Sequence, residues 1–102
     1  MKFPRHKFNA VRTEVDGIKF GSKKEAAYYQ GLLLRQKGGD VVFFLRQVPF
    51  WLPGGVKYLC DFQEFRRDGT VHFIDVKGQK LPMYIAKKRM VEAMYPITIE
   101  EV

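Results

Sequence analysis

The sequence predicts an α/β domain in which a mixed central β-sheet is flanked by one helix on each side. Three observations predict it. Two runs rich in strand formers, Tyr58 to Phe65 and Val71 to Lys77, flank an Arg-Arg-Asp-Gly-Thr turn and read as a β-hairpin. Two segments with apolar residues at helical spacing stand before and after it, near residues 23–36 and 83–94. Further short strand-like runs precede the hairpin and follow the second helix, which is the alternation expected of a sheet covered by helices. The 102 residues, 46% hydrophobic and 15% aromatic, make one domain with a single core, and they are too apolar for a disordered tail.

Residues 1–9 read as a basic N-terminal arm. Lys2, Arg5, His6 and Lys7 alternate with Phe3, Pro4 and Phe8, which suits contact with phosphates as well as it suits a frayed terminus. The single folded domain then occupies residues 10–102. Residues 10–20 form a short hairpin: Val11, Thr13 and Val15 alternate, Asp16-Gly17 marks the turn, and Ile18-Lys19-Phe20 returns. Ser22 is a helix N-cap with Glu25 three residues later, the spacing of a capping box. The helix runs from Lys23 to about Gln36 with Ala26, Tyr29, Leu32 and Leu33 on its apolar face, and Gly38-Gly39 stops it.

Val41-Val42-Phe43-Phe44-Leu45 is a continuous apolar run and predicts a strand buried on both faces, closed by Arg46-Gln47. Pro49 interrupts, Phe50-Trp51-Leu52 follows, and Pro53-Gly54-Gly55 is a turn. After the central hairpin, Pro82 opens a second helix from about Met83 to Met94. Ile85, Met90 and Met94 fall near its apolar side, with Lys87, Lys88 and Arg89 mostly opposite. Pro96 stops it, Ile97-Thr98-Ile99 is a last strand, and Glu100-Glu101 is a polar end.

The hairpin can close in two ways. A two-residue loop at Asp68-Gly69 sends the Asp61 and Asp75 side chains to opposite faces. A loop of Arg67, Asp68 and Gly69 pairs Arg66 with Thr70 and Asp61 with Asp75, with Gly69 in the left-handed position of a G1 bulge. We expect the second, because it builds a site. Asp75 and Lys77 then share a face.

Net charge of +7 points to a polyanionic partner, of which nucleic acid is the usual one. No basic amphipathic helix supports a membrane surface, and no apolar run is long enough to span a bilayer. Cys60 is the one cysteine, which excludes an intrachain disulfide and fits a reducing compartment; its expected role is a small buried side chain. The start of the chain has no signal-peptide core, so an intracellular, soluble protein is expected.

Two strand carboxylates beside an amine suit phosphodiester hydrolysis. Mg²⁺ (or Mn²⁺) activates water and offsets phosphoryl charge, and it prefers hard oxygen ligands. Asp61, Asp75 and the Val76 carbonyl are the candidate ligands, with Lys77 holding or deprotonating the attacking water. Glu25 completes the site from the first helix, or else serves only as a capping-box residue. Gln47 points into the site from the neighbouring strand, or is a satisfied strand-end amide. Tyr58 reads as core, surface or substrate contact alike. Lys2, Arg5, Lys7, Lys87, Lys88 and Arg89 are candidate contacts to the DNA backbone, which position without reading sequence.

Glu25, then Asp61, then Asp75-Val76-Lys77, set between two helices, resembles the PD-(D/E)XK nuclease superfamily. More closely, Asp-Gly-Ile-Lys-Phe-Gly-Ser-Lys-Lys-Glu-Ala, Arg-Gln-Val-Pro-Phe, Tyr-Leu-Cys-Asp-Phe and Ile-Asp-Val-Lys-Gly are similar to a family of small phage-encoded endonucleases grouped with Holliday junction resolvases. The resemblance covers about residues 9–102; Cys60 stands where the superfamily pattern has proline. It implies a restriction-endonuclease-like core, a Mg²⁺ or Mn²⁺ site at Asp61 and Asp75, Lys77 in catalysis and Glu25 in the first helix. The expected activity is endonucleolytic cleavage of branched DNA in phage-type recombination or replication, by a homodimer, since resolving a four-way junction takes two symmetric cuts. The rivals are a nuclease for flaps, nicks or duplex DNA, and a non-catalytic basic DNA-binding domain in which Asp61 and Asp75 lie apart or pair with Arg or Lys.

Overall fold

The structure, a computed structural model, describes residues 13–76 and 80–102. The basic arm with Lys2, Arg5 and Lys7, and also Lys77, lie outside the described residues. Strands β1 (Thr13–Val15) and β2 (Ile18–Phe20) form an antiparallel hairpin around Asp16-Gly17. Helix α1 (Lys23–Lys37) follows; the Ser22 hydroxyl accepts the Glu25 N–H at 3.1 Å, one of the donors a helix start leaves unpaired.

Strands β3 (Val41–Leu52), β4 (Val56–Arg66), β5 (Val71–Asp75) and β6 (Ile99–Glu101) form one sheet in the order β3-β4-β5-β6. The first three are antiparallel neighbours, and β6 lies parallel to β5 after the crossover through helix α2 (Pro82–Met94). The molecule is therefore a mixed α/β domain built on a four-stranded mixed sheet and two helices. Phe73 and Ile74 show where the helices lie. Adjacent strand residues point to opposite faces. Ile74 packs with Phe20, Ala26, Tyr29, Leu32 and Phe62 on the α1 side, whereas Phe73 joins Leu52, Cys60, Val91 and Ile99 on the α2 side.

Four expectations are corrected. The Val41 to Leu45 run is not buried on both faces: β3 is an edge strand, with Val42 62% and Phe43 49% exposed. Nor does Pro49 interrupt it, because an edge strand has one side on which a missing N–H costs no ladder bond. Helix α2 does not bury Ile85, Met90 and Met94, which are exposed; Val91 is its buried residue, with Tyr84 one helical repeat away packed beside it. The last strand is Ile99–Glu101 rather than Ile97–Ile99, so the polar end is part of the sheet, with Glu101 opposite Asp75.

The central hairpin closes as the three-residue loop. Arg66 N–H donates to the Thr70 carbonyl at 2.9 Å, Gly69 has φ +87°, and the ladder pairs Phe65 with Val71 and Phe62 with Ile74. Continued by one residue, that register sets Asp61 opposite Asp75.

The β3–β4 ladder also carries a break. Its pairs run to Arg46↔Phe62 and resume at Val48↔Cys60, leaving out Gln47 and Asp61. Gln47 has φ +52°, in the left-handed region that a non-glycine residue rarely adopts. Phe62 and Cys60, two residues apart, consequently join clusters on opposite faces of the sheet, which regular alternation forbids. The backbone is re-aimed at the level of Asp61.

Candidate active site

Asp61, Asp75 and Glu25 are all buried. Asp61 comes from β4 at the break, Asp75 from the end of β5, and Glu25 from the first turn of α1. Gln47 joins two of them: its amide donates to Glu25 Oε2 at 3.3 Å and to Asp61 Oδ1 at 3.4 Å. The strained backbone at Gln47 thus aims an amide between a helix carboxylate and a strand carboxylate. Backbone strain of this kind costs on the order of 1–3 kcal/mol and gathers at functional sites. The other oxygen of Asp61, Oδ2, accepts the Val76 N–H at 2.8 Å.

Asp61 and Asp75 contact each other through their side chains. Burial pushes the Asp61 carboxyl up to about 7, and the hydrogen bond and charge of Asp75 add to the rise. The Val76 N–H opposes it, and the Glu25 charge adds a further upward push. Two like-charged oxygen donors held this close cannot both ionise cheaply. Asp61 is thereby held toward its protonated form near neutrality unless a cation replaces the proton.

Tyr58 and Tyr84 complete the surroundings. The Tyr58 hydroxyl donates to Asp75 Oδ2. Its own ionisation is pushed far up, first by burial and then by that hydrogen bond, so it stays a neutral hydroxyl that can donate to the carboxylate. The Tyr84 ring lies 6.3 Å from Tyr58, and its hydroxyl donates to Glu101 Oε2 at 2.7 Å. Cys60 fills space beside them with its Sγ directed at the Phe62 and Ile74 carbonyls. Burial pushes its thiol up to about 12, as suits a packed and unreactive side chain.

Of the residues expected at the site, the structure gathers Glu25, Gln47, Asp61, Asp75 and the Val76 backbone. At Glu25 the backbone N–H donates to the Ser22 hydroxyl, and the carboxylate accepts from the Gln47 amide rather than reaching back to the Ser22 backbone. Among the basic residues of α2, Lys88 Nζ stands 3.6 Å from Glu101 Oε2, Lys87 Nζ donates to the Lys57 carbonyl at 3.4 Å, and Arg89 is exposed. Tyr58 as the partner of Asp75 was not assigned from sequence. A strand tyrosine reads as core, and only the ladder reveals where its hydroxyl ends.

The donor set suits a hard cation. Its side-chain donors are carboxylates, which Mg²⁺ and Mn²⁺ prefer. Among the described residues no three His, Cys, Asp or Glu side chains form a ready-made ligand cluster. Also among the described residues, no helix is long and apolar enough to cross a membrane.

Fold and site together define a small basic α/β domain with buried carboxylates on two neighbouring strands, Asp61 in the middle of β4 and Asp75 at the end of β5. A family model matches residues 5–100, and the chain belongs to that family, described as "Protein of unknown function (DUF1064)". No curated protein and no solved structure matches the chain.

Proposed function

We propose that the chain is a divalent-metal-dependent DNA endonuclease of the PD-(D/E)XK type, with a restriction-endonuclease-like core, cleaving branched DNA as a homodimer. The observation that carries this reading is the contact between Asp61 and Asp75 on adjacent strands, with Gln47 linking Asp61 to Glu25. The mixed sheet with a helix on either face supports the fold assignment, and the net charge of +7 supports a nucleic-acid substrate.

A bound Mg²⁺ or Mn²⁺ supplies a water that is nucleophilic at neutral pH and positive charge against the phosphoryl oxygens. Asp61, Asp75 and the Val76 carbonyl are the residues to hold it, and Glu25 reaches the same site directly or through water. Tyr58 fixes one oxygen of Asp75, and the Val76 N–H fixes one oxygen of Asp61. Such fixed donors and acceptors cost no reorganisation during reaction. Gln47 keeps Glu25 turned toward the strands. Lys77, two residues after Asp75, is assigned the role of orienting the attacking water and offsetting developing charge.

The test is cleavage of a labelled four-way junction beside a flap and a linear duplex, with and without Mg²⁺ or Mn²⁺. Ion-dependent cleavage with the junction preferred, by a protein that sediments as a dimer, is the expected result. Preference for the flap or duplex transfers the same chemistry to another substrate. DNA binding without cleavage of any of the three in either ion sinks the enzyme and leaves a basic binding domain.

A further inference from the structure

Beside Asp75 lies a groove of about 350 Å³ that the chemistry above does not use. Strand β5 covers β4 only from Phe62 to Phe65, so the earlier stretch Lys57–Leu59 is met by the start of α2 instead. The walls are Tyr58 and Tyr84, the tyrosines around Asp75. The outer lining is apolar and solvent-facing: Leu59, Leu81, and Met83, which is 66% exposed. Lys57 and Lys87 stand at the rim, with Lys87 Nζ bridging to the Lys57 carbonyl at 3.4 Å. Lys57 Nζ in turn sits 5.3 Å from the centre of the Trp51 ring, and Trp51 is 59% exposed on the same hairpin.

We infer that this groove takes an unpaired stretch of the substrate strand, with a nucleobase against the apolar lining and its flanking phosphates on Lys57 and Lys87. The inference rests on the nuclease reading of Asp61 and Asp75 and narrows its substrate. A base inside a duplex is stacked on both sides and cannot enter a pocket between a strand and a helix. An unstacked base offers both a flat apolar face and a charged backbone, the combination that cations alternating with aromatic and aliphatic side chains recognise. A peptide would satisfy the apolar lining but gives the two ammonium groups nothing in particular. Because Tyr58 belongs both to the groove and to the Asp75 environment, a strand lying in the groove runs past the carboxylates. The cut therefore falls where the strand leaves the duplex.

The experiment compares binding of a fluorescent oligothymidylate and of a blunt duplex of equal length, without divalent ion, for wild type, Lys57→Gln/Lys87→Gln and Met83→Glu. Met83 is exposed, so its substitution spares the fold while placing a carboxylate in the groove. Expected is tighter wild-type binding to the single strand than to the duplex. Each variant should then lose about tenfold or more on the single strand and only about twofold on the duplex. Equal losses on both ligands, or no loss with Met83→Glu, overturn the groove. Cleavage by wild type in Mn²⁺ is scored on the same samples. Cleavage without the binding difference removes the groove and keeps the nuclease; the binding difference without cleavage removes the nuclease and this inference with it, since no cut remains to be positioned.

Discussion

Strand β4 carries two buried acids three residues apart, Asp61 and Glu64, and they are treated in opposite ways. Glu64 is fully enclosed by charge of the other sign. Arg35 Nη2 and Arg66 Nη2 each lie 3.1 Å from Oε1, and the Tyr28 hydroxyl donates to Oε2. Asp61 receives a backbone N–H and a side-chain amide, and the charged groups that shift it are two more carboxylates. Burying a carboxylate is expensive unless its charge is answered. At Glu64 the fold answers it. At Asp61 the fold withholds the answer, and this is the pattern expected where the missing charge comes from a ligand.

The largest effect should come from the site on the ligand side. Asp75→Ala is expected to lower cleavage in Mg²⁺ by about a thousandfold or more, while DNA binding persists. Melting in the absence of metal should fall less than for Glu64→Ala, because relief of the crowded carboxylates offsets the Tyr58 hydroxyl left unpaired, and Mn²⁺ should raise the melting temperature of wild type but not of the variant. Equal cleavage by both proteins would refute the placement of the site. A loss of metal-free stability as large as that of Glu64→Ala would instead make Asp75 a structural acid like Glu64.

Glu64→Ala tests the other half. It takes the shared carboxylate from two partly exposed arginines, of which Arg35 keeps Asp40, and leaves the Tyr28 hydroxyl beside an emptied position. The expected cost is about 3 kcal/mol, read from urea unfolding. Cleavage per folded molecule should stay near wild type. A loss of activity at unchanged stability would show that Glu64 reports to the site, and the contrast between the two acids would collapse.

Gln47 stands between the two regions in size of effect. Gln47→Gly removes the amide and also the cost of a left-handed backbone. Stability should change by no more than about 1 kcal/mol, because relief of strain offsets the lost hydrogen bonds. Activity should fall by about tenfold, because Glu25 loses its link to Asp61. If Gln47→Gly is as active as wild type, the break in the β3–β4 ladder serves folding alone.

The sequence made the hairpin legible, because Gly69 and the demand that Asp61 face Asp75 select one loop from two. It made α1 legible through Ser22 and its apolar spacing. What it hid was decided by neighbours. Continuous apolar runs look alike whether a strand is central or at an edge, so the exposure of Val42 and Phe43 could not be read from Val41 to Leu45. In α2, Met90 and Met94 satisfy helical spacing as well as Tyr84 and Val91 do, and only the sheet beneath chooses between them. Gln47 was a candidate by position, but nothing in Arg-Gln-Val-Pro announces a left-handed residue. The Tyr58–Asp75 bond spans 17 positions and depends on where β5 ends.

A third acid gives the smallest test and fixes which class it belongs to. Glu101 pairs opposite Asp75, yet it resembles Glu64: Lys80 Nζ lies 2.9 Å from Oε1, and Tyr84 donates to Oε2. The Tyr84 hydroxyl, then Lys80, hold its carboxyl down to about 2, below the usual 4.5. A carboxyl with a lowered folded pKa binds its proton more weakly in the native state than in the unfolded one. Its contribution is therefore complete above about pH 4.5 and is lost as the pH falls from there toward 2. Wild type should melt higher than Glu101→Gln at pH 7, and the gap should close on acidification through that window. A gap that stays constant to pH 3 would mean that the charge on Glu101 contributes nothing. The ion pairs around β6 would then be solvated surface contacts, and the division between acids neutralised within the fold and acids left for a ligand would rest on Glu64 alone.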